Sequence, residues 1–162
     1  MIKTEVPEGA AGNWVIRRIF INEEQAAAFN AAAGKARNAC LVSGWYTSLW
    51  RKGSDSPIMS DVPAEIADLK QWQDHATGKC LISGLGLGIA TELALAKPDV
   101  TKVTVLEASE DVISLVAPHL TFKYENLEII HANVFDWIIP DNAAWDAIWH
   151  DIWDTIDKSN ID

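Results

Sequence analysis

Apolar and polar positions divide the chain into two stretches of different rhythm. In the first, Trp14–Ile21 (WVIRRIFI) mixes β-branched and aromatic residues around a basic pair and predicts a strand. Asn22, with Gln25 three residues on, opens an Ala-rich run that predicts a helix to about Arg37. Residues 39–50 return to strand chemistry, read as a hairpin bent at Gly44, and residues 51–56 (RKGSDS) as a turn. Residues 1–13 are polar and Gly-containing and are expected to fray. Ser60-Asp61-Val62-Pro63-Ala64-Glu65 reads as a helix start, with a capping side chain, a proline in the first turn and an acid near the positive end of the dipole. Val62, Ile66, Leu69 and Trp72 (or Gln73) then share a face, and residues 74–79 form a loop.

From Cys80 the rhythm becomes strand and helix in alternation. Residues 80–83 form a short buried strand, a Gly-rich turn follows, and a helix runs to about Ala96, where Lys97-Pro98-Asp99 breaks it. Residues 102–107 give a second strand, 110–117 a helix, Leu127–His131 a third strand and 145–150 a fourth. Such alternation implies a parallel sheet with crossover helices.

Composition adds limits. At 162 residues, 49% apolar and 22% charged, the chain has the make-up of a soluble globular protein. The net charge of −10 is unevenly placed: residues 1–105 carry eleven basic and eleven acidic groups, whereas residues 106–162 carry Lys123 and Lys158 against twelve acids. No basic footprint for nucleic acid is present. No apolar run approaches a membrane span and no signal-peptide core occurs, so a cytoplasmic protein without a membrane partner is expected. Cys40 and Cys80 lie in apolar stretches and read as reduced packing residues. His75 and His119 have no companions at metal-ligand spacing, so no metal is expected.

The chemistry concentrates after the first buried strand, in Gly84-Leu85-Gly86-Leu87-Gly88. Glycines there let backbone approach a ligand, and the following helix aims free N–H groups at it. The dinucleotide pattern G-x-G-x-x-G/A fails, with Ile89 or Thr91 at its third position, and no Gly-Lys-Ser/Thr follows for a phosphate loop. The remaining G-x-G-x-G suits a ligand without a pyrophosphate. Glu107, at the tip of the second strand, can accept from a ribose diol or be a solvated strand end. Asn133 offers a donor and an acceptor for an adenine edge, or serves an ordinary turn. At the fourth strand's end, Asp151 and Asp154 are placed beside a transferable group, and His150 has a base's ordinary pKa. Alternatively Asp154 caps a helix and His150 packs. Trp137, Trp145, Trp149 and Trp153 form either an aromatic wall or core.

Together these features resemble class I S-adenosylmethionine-dependent methyltransferases over residues 78–154. The glycine motif, Glu107 with Ala108, and Asn133-Val134 are similar to that family's cofactor loop, ribose acid and adenine-side turn. Ile82, where many members carry an acid, and the segment from Val103 to Ile113 look most like the spermidine-synthase-like branch. The resemblance implies an α/β, Rossmann-like, mostly parallel sheet of about four core strands (78–162) preceded by a small N-terminal α+β element (1–77). It implies S-adenosylmethionine held by Gly84, Leu85, Gly86, Gly88, Glu107, Ala108, Asn133, Val134 and Asp151. By position Asp151 would bind the acceptor amine and Asp154, or His150, would deprotonate it. Met59, Ser60, Asp61, Glu65 and Trp153 would lie on the substrate side. The expected activity is methyl transfer to a small molecule, amines among them, or to a protein side chain. Aminopropyl transfer, consumption of the cofactor without an acceptor, and a non-catalytic nucleoside-binding module are the alternatives. A full methyltransferase sheet has seven strands; the stretch from Gly84 to Asp162 has room for four. The fourth strand should therefore expose an edge needing cover from the N-terminal segment or from a second copy in a homo-oligomer.

Overall fold

The computed structural model describes residues 3–33 and 41–152, so Cys40, Trp153 and Asp154 lie outside the described residues. Two four-stranded sheets make up the framework. The first is antiparallel in chain order: β1 (Gly9–Ala11), β2 (Trp14–Ile21), β3 (Gly44–Arg51) and β4 (Met59–Ser60). Strand β1 corrects the expectation of a frayed lead-in. Gly12, at φ +48°, turns the chain so that Ala11 pairs with Trp14, and Val6 is buried ahead of it. Three residues of Gly and Ala carry no alternation by which a strand could be recognised. Nor is there a hairpin at Gly44, which instead opens β3 and pairs with Ile21.

Helix α1 (Glu23–Ala33) links β2 to β3. Its start is a reciprocal cap: Gln25 N–H donates to Asn22 Oδ1 at 2.8 Å, and Asn22 N–H to Gln25 Oε1 at 2.9 Å. Ala26 rests on Tyr46 and Leu41 in a small separate cluster. Two short helices, α2 (Pro63–Asp68) and α3 (Lys70–His75), lead to the second sheet. The cap of α2 is Val62, which has no capping side chain; Ser60 and Asp61 are used elsewhere.

The second sheet is parallel, built from β5 (Gly78–Ser83), β6 (Val100–Glu107), β7 (Leu127–His131) and β8 (Ala147–His150) in the order β7-β6-β5-β8. This Rossmann-like order, third-second-first-fourth, places a switch point between β5 and β8. Helix α4 (Ile89–Leu95) connects β5 to β6, and α5 (Glu110–Lys123) connects β6 to β7. Helix α5 runs one and a half turns past its expected end, through Pro118. Val112, Val116 and Leu120 repeat every four residues and are all buried, so apolar burial carries the helix beyond the proline. The expected fourth strand is trimmed to Ala147–His150, because Asp146 is taken up at the foot of the sheet. Its Oδ2 accepts the Lys79 N–H at 2.7 Å.

One core joins the sheets. Ile16 and Leu49 from the antiparallel sheet share it with Ile82, Val103 and Val105, and with Leu69 and Trp72. Cys80 is buried in it as a free thiol, pushed above its ordinary pKa by burial. Among the described residues β8 takes its strand pairing from β5 alone, so the expected cover from the N-terminal segment is not seen there. No described helix is long and apolar enough to cross a membrane.

Candidate active site

Carboxyl ends of parallel strands converge where the chain leaves each strand for its connection, and the glycine loop leaves β5 at that end. Gly84, Gly86 and Gly88 all have positive φ (95°, 52° and 77°). Each lacks room for a side chain for a different reason. A Cβ on Gly84 would stand 2.1 Å from the Asp151 carbonyl oxygen, and one on Gly86 2.6 Å from Met59 Sδ. On Gly88 it would stand 2.6 Å from Leu120 Cδ1, so this glycine serves the seating of α5 against the loop rather than a ligand.

The loop's amides are largely satisfied within the chain. Gly84 N–H donates to Leu106 O at 2.8 Å and Gly88 N–H to Leu85 O at 2.8 Å. Leu85 N–H donates to Glu107 Oε2 at 2.8 Å, and Leu87 N–H to Met59 Sδ at 3.2 Å. With these four amides taken, the loop is poorly suited to cradling a phosphate. Glu107 also accepts the Ser109 N–H on Oε1 at 2.8 Å, so each oxygen holds one backbone donor and keeps further lone-pair capacity.

A cavity of about 660 Å³ opens between these strand ends and the antiparallel sheet. Gly84, Gly86, Glu107, Ala108, Asn133, Val134 and Asp151 line one side, and Met59 and Glu65 the other. Leu85 and Gly88 contribute to its frame without facing it. The size suits a small-molecule ligand.

Sequence reasoning missed part of the far wall: Trp14, Arg51, Ile58 and Asp68. Trp14 and Arg51 are register partners on β2 and β3, and the Arg51 guanidinium lies 4.8 Å from the Trp14 ring centroid. The apolar–cationic cross-strand pair was visible in the sequence; the register that aims it at the cavity was not.

Several expected site residues are used otherwise. His150 alternates with Trp149 along β8, so its side chain points to the opposite face. There Nδ1 meets Ser83 Oγ at 2.9 Å, outside the cavity. Asp61 is 1% exposed and accepts the Thr47 N–H at 2.7 Å; burial raises its carboxyl pKa, and it does not face the cavity. Ser60 acts through Glu65, whose two oxygens accept the Ser60 N–H at 2.7 Å and the Ser60 hydroxyl at 2.6 Å. Asn133 lines the cavity with its amide engaged in a local turn, Oδ1 to Phe135 N–H and Nδ2 to Asp136, both at 3.1 Å.

Of the tryptophans, Trp149 lines the cavity and stacks on Trp72 with centroids 5.9 Å apart. Trp137 and Trp145 lie 5.8 Å apart and line a separate cavity of about 270 Å³. Asp151 keeps surface toward the main cavity, yet surrounding protein pushes its carboxyl above the ordinary range, with the Trp149 indole opposing the shift. Among the described residues, Glu65, Asp68, Glu107, Asp151 and Arg51 are the charged residues lining the cavity.

A solved dimethyladenosine transferase from Plasmodium falciparum is similar to this chain. The two are 23% identical, with a TM-score of 0.46, over 53% of this chain and 31% of that one. The chain thus spans about a third of that protein's length. No protein-family model matches the chain, and no curated protein matches it.

Proposed function

We propose that the chain binds S-adenosylmethionine in the 660 Å³ cavity and transfers its methyl group to a small molecule or a protein side chain. The observation that carries this reading is Glu107, tied to the glycine loop through Leu85 N–H while it lines the same cavity as Gly84 and Gly86. The residues fit the cofactor on two further counts. Gly84 and Gly86 both line the cavity, and the amides of Gly84, Leu85, Leu87 and Gly88 are bonded within the chain, as a ligand without a pyrophosphate allows.

When bound, the cofactor supplies an electrophilic methyl group on a sulfonium. Glu107 would accept the ribose hydroxyls on its remaining lone pairs. The carboxylates of Glu107 and Asp151 on the cavity wall favour a cationic occupant. Asp151, which lines the cavity with its carboxyl pushed above the ordinary range, would take a proton from an acceptor N–H or O–H. The narrower spermidine-synthase-like resemblance makes aminopropyl transfer the competing outcome.

The test is product analysis with S-adenosylmethionine and a panel of small amines and peptides. Methyl transfer predicts S-adenosylhomocysteine that appears only with an acceptor. Methylthioadenosine would instead indicate aminopropyl transfer or cofactor cleavage, and absence of cofactor binding would overturn every enzymatic reading.

A further inference from the structure

Met59 carries a contact from the antiparallel sheet to the glycine loop. It stands on β4 opposite Leu49, lines the cavity, and receives the Leu87 N–H on its sulfur at 3.2 Å. The absent side chain of Gly86 is what makes room for that sulfur. Among loop amides 84, 85, 87 and 88, Leu87 alone depends on a sulfur for its partner. A thioether is a weak acceptor that peroxide readily oxidises, and a half-buried one on a cavity wall is reachable by a small oxidant.

We infer that Met59 is an oxidation site that controls ligand access to the glycine loop. The inference rests on the cofactor-binding reading above. The oxidant is a peroxide: its O–O bond breaks, one oxygen forms the S–O bond, and the other leaves as water, so sulfur loses two electrons and the peroxide gains them. The sulfoxide oxygen is a stronger acceptor than sulfur and takes over the Leu87 N–H. Inserting an oxygen between nitrogen and sulfur drives the sulfur away from Gly86 by about a bond length. The displaced and now polar side chain enters the space a ligand at Gly84 and Gly86 would occupy. Reduction by a methionine sulfoxide reductase reverses the change.

The chain has two methionines, Met1 and Met59, so peptide mass assigns the added oxygen without ambiguity. The experiment treats the full chain with hydrogen peroxide and measures S-adenosylmethionine affinity by calorimetry. Amide hydrogen exchange at Leu87 is followed without ligand. One oxygen on Met59 should weaken binding at least tenfold and slow Leu87 exchange, and sulfoxide reductase should restore both. In Met59→Leu, whatever its starting affinity, peroxide should change neither quantity. Oxidised Met59 with unchanged affinity and exchange would overturn the inference, as would equal peroxide sensitivity in Met59→Leu. If the untreated protein binds no S-adenosylmethionine, the cofactor reading fails by itself. The exchange measurement then decides: slower exchange at Leu87 on oxidation, absent in Met59→Leu, supports the contact, and its absence overturns it.

Discussion

Gly84 and Gly86 differ in what a side chain would strike. At Gly84 the obstacle is the backbone carbonyl of Asp151, and φ is +95°, outside the left-handed well. At Gly86 the obstacle is the end of a flexible methionine, and φ is +52°, inside that well. Gly84→Ala should therefore cost more than Gly86→Ala, with about 1–3 kcal/mol from backbone strain alone at Gly84. Thermal melts of the two variants check the order, and equal melting temperatures would contradict it. Asp61 gives a pH-dependent case. Its folded pKa is raised by burial, so its contribution to stability is complete at low pH and is lost as pH rises through the raised value. Asp61→Asn keeps an acceptor for Thr47 N–H and avoids the buried charge. It should gain on the wild type as pH rises from 3 to 7. Asp61→Ala leaves that N–H unpaired and should cost about 1–3 kcal/mol. Melting curves across that range read both signs.

At the scale of elements, strands and helices with a clear period were legible. Trp14–Ile21 is a strand as expected, Asn22 and Gln25 cap α1, and the strand–helix alternation after Cys80 is the parallel sheet. What was not legible depends on partners distant in sequence. Gly9–Ala11 becomes a strand only because β2 pairs with it, and α5 passes Pro118 only because Leu120 is buried. His150 was misplaced because alternation along β8 is fixed by which of its faces meets Trp72. The reciprocal cap makes Asn22→Ala cost about 1 kcal/mol in chemical denaturation. Strand β8, with Ile148 half exposed and pairing from β5 alone among the described residues, is the element through which the expected homo-oligomer would form. Sedimentation should show concentration-dependent association that Ile148→Lys weakens. A wild type that stays monomeric throughout would contradict that expectation.

Across the whole molecule, the two sheets share a core that includes Ile16, Leu49, Trp72, Ile82 and Val105. Unfolding should therefore follow a single transition by both tryptophan fluorescence and far-UV circular dichroism; two separated transitions would indicate independent units. The same juxtaposition makes the cavity, because strand tips supply one wall and the antiparallel sheet the other. That Gly84, Gly86, Glu107 and Asp151 lie together at the strand ends was readable, since motif spacing and strand order place them there. Trp14 and Arg51 were not, since only the packing of one sheet over the other brings them there. The proposed S-adenosylmethionine site centred on Glu107 is tested by calorimetric titration of the full chain with S-adenosylmethionine, beside Glu107→Ala. Saturable one-to-one binding that weakens at least tenfold in the variant is expected; no binding, or equal affinity in both proteins, would overturn the proposed site.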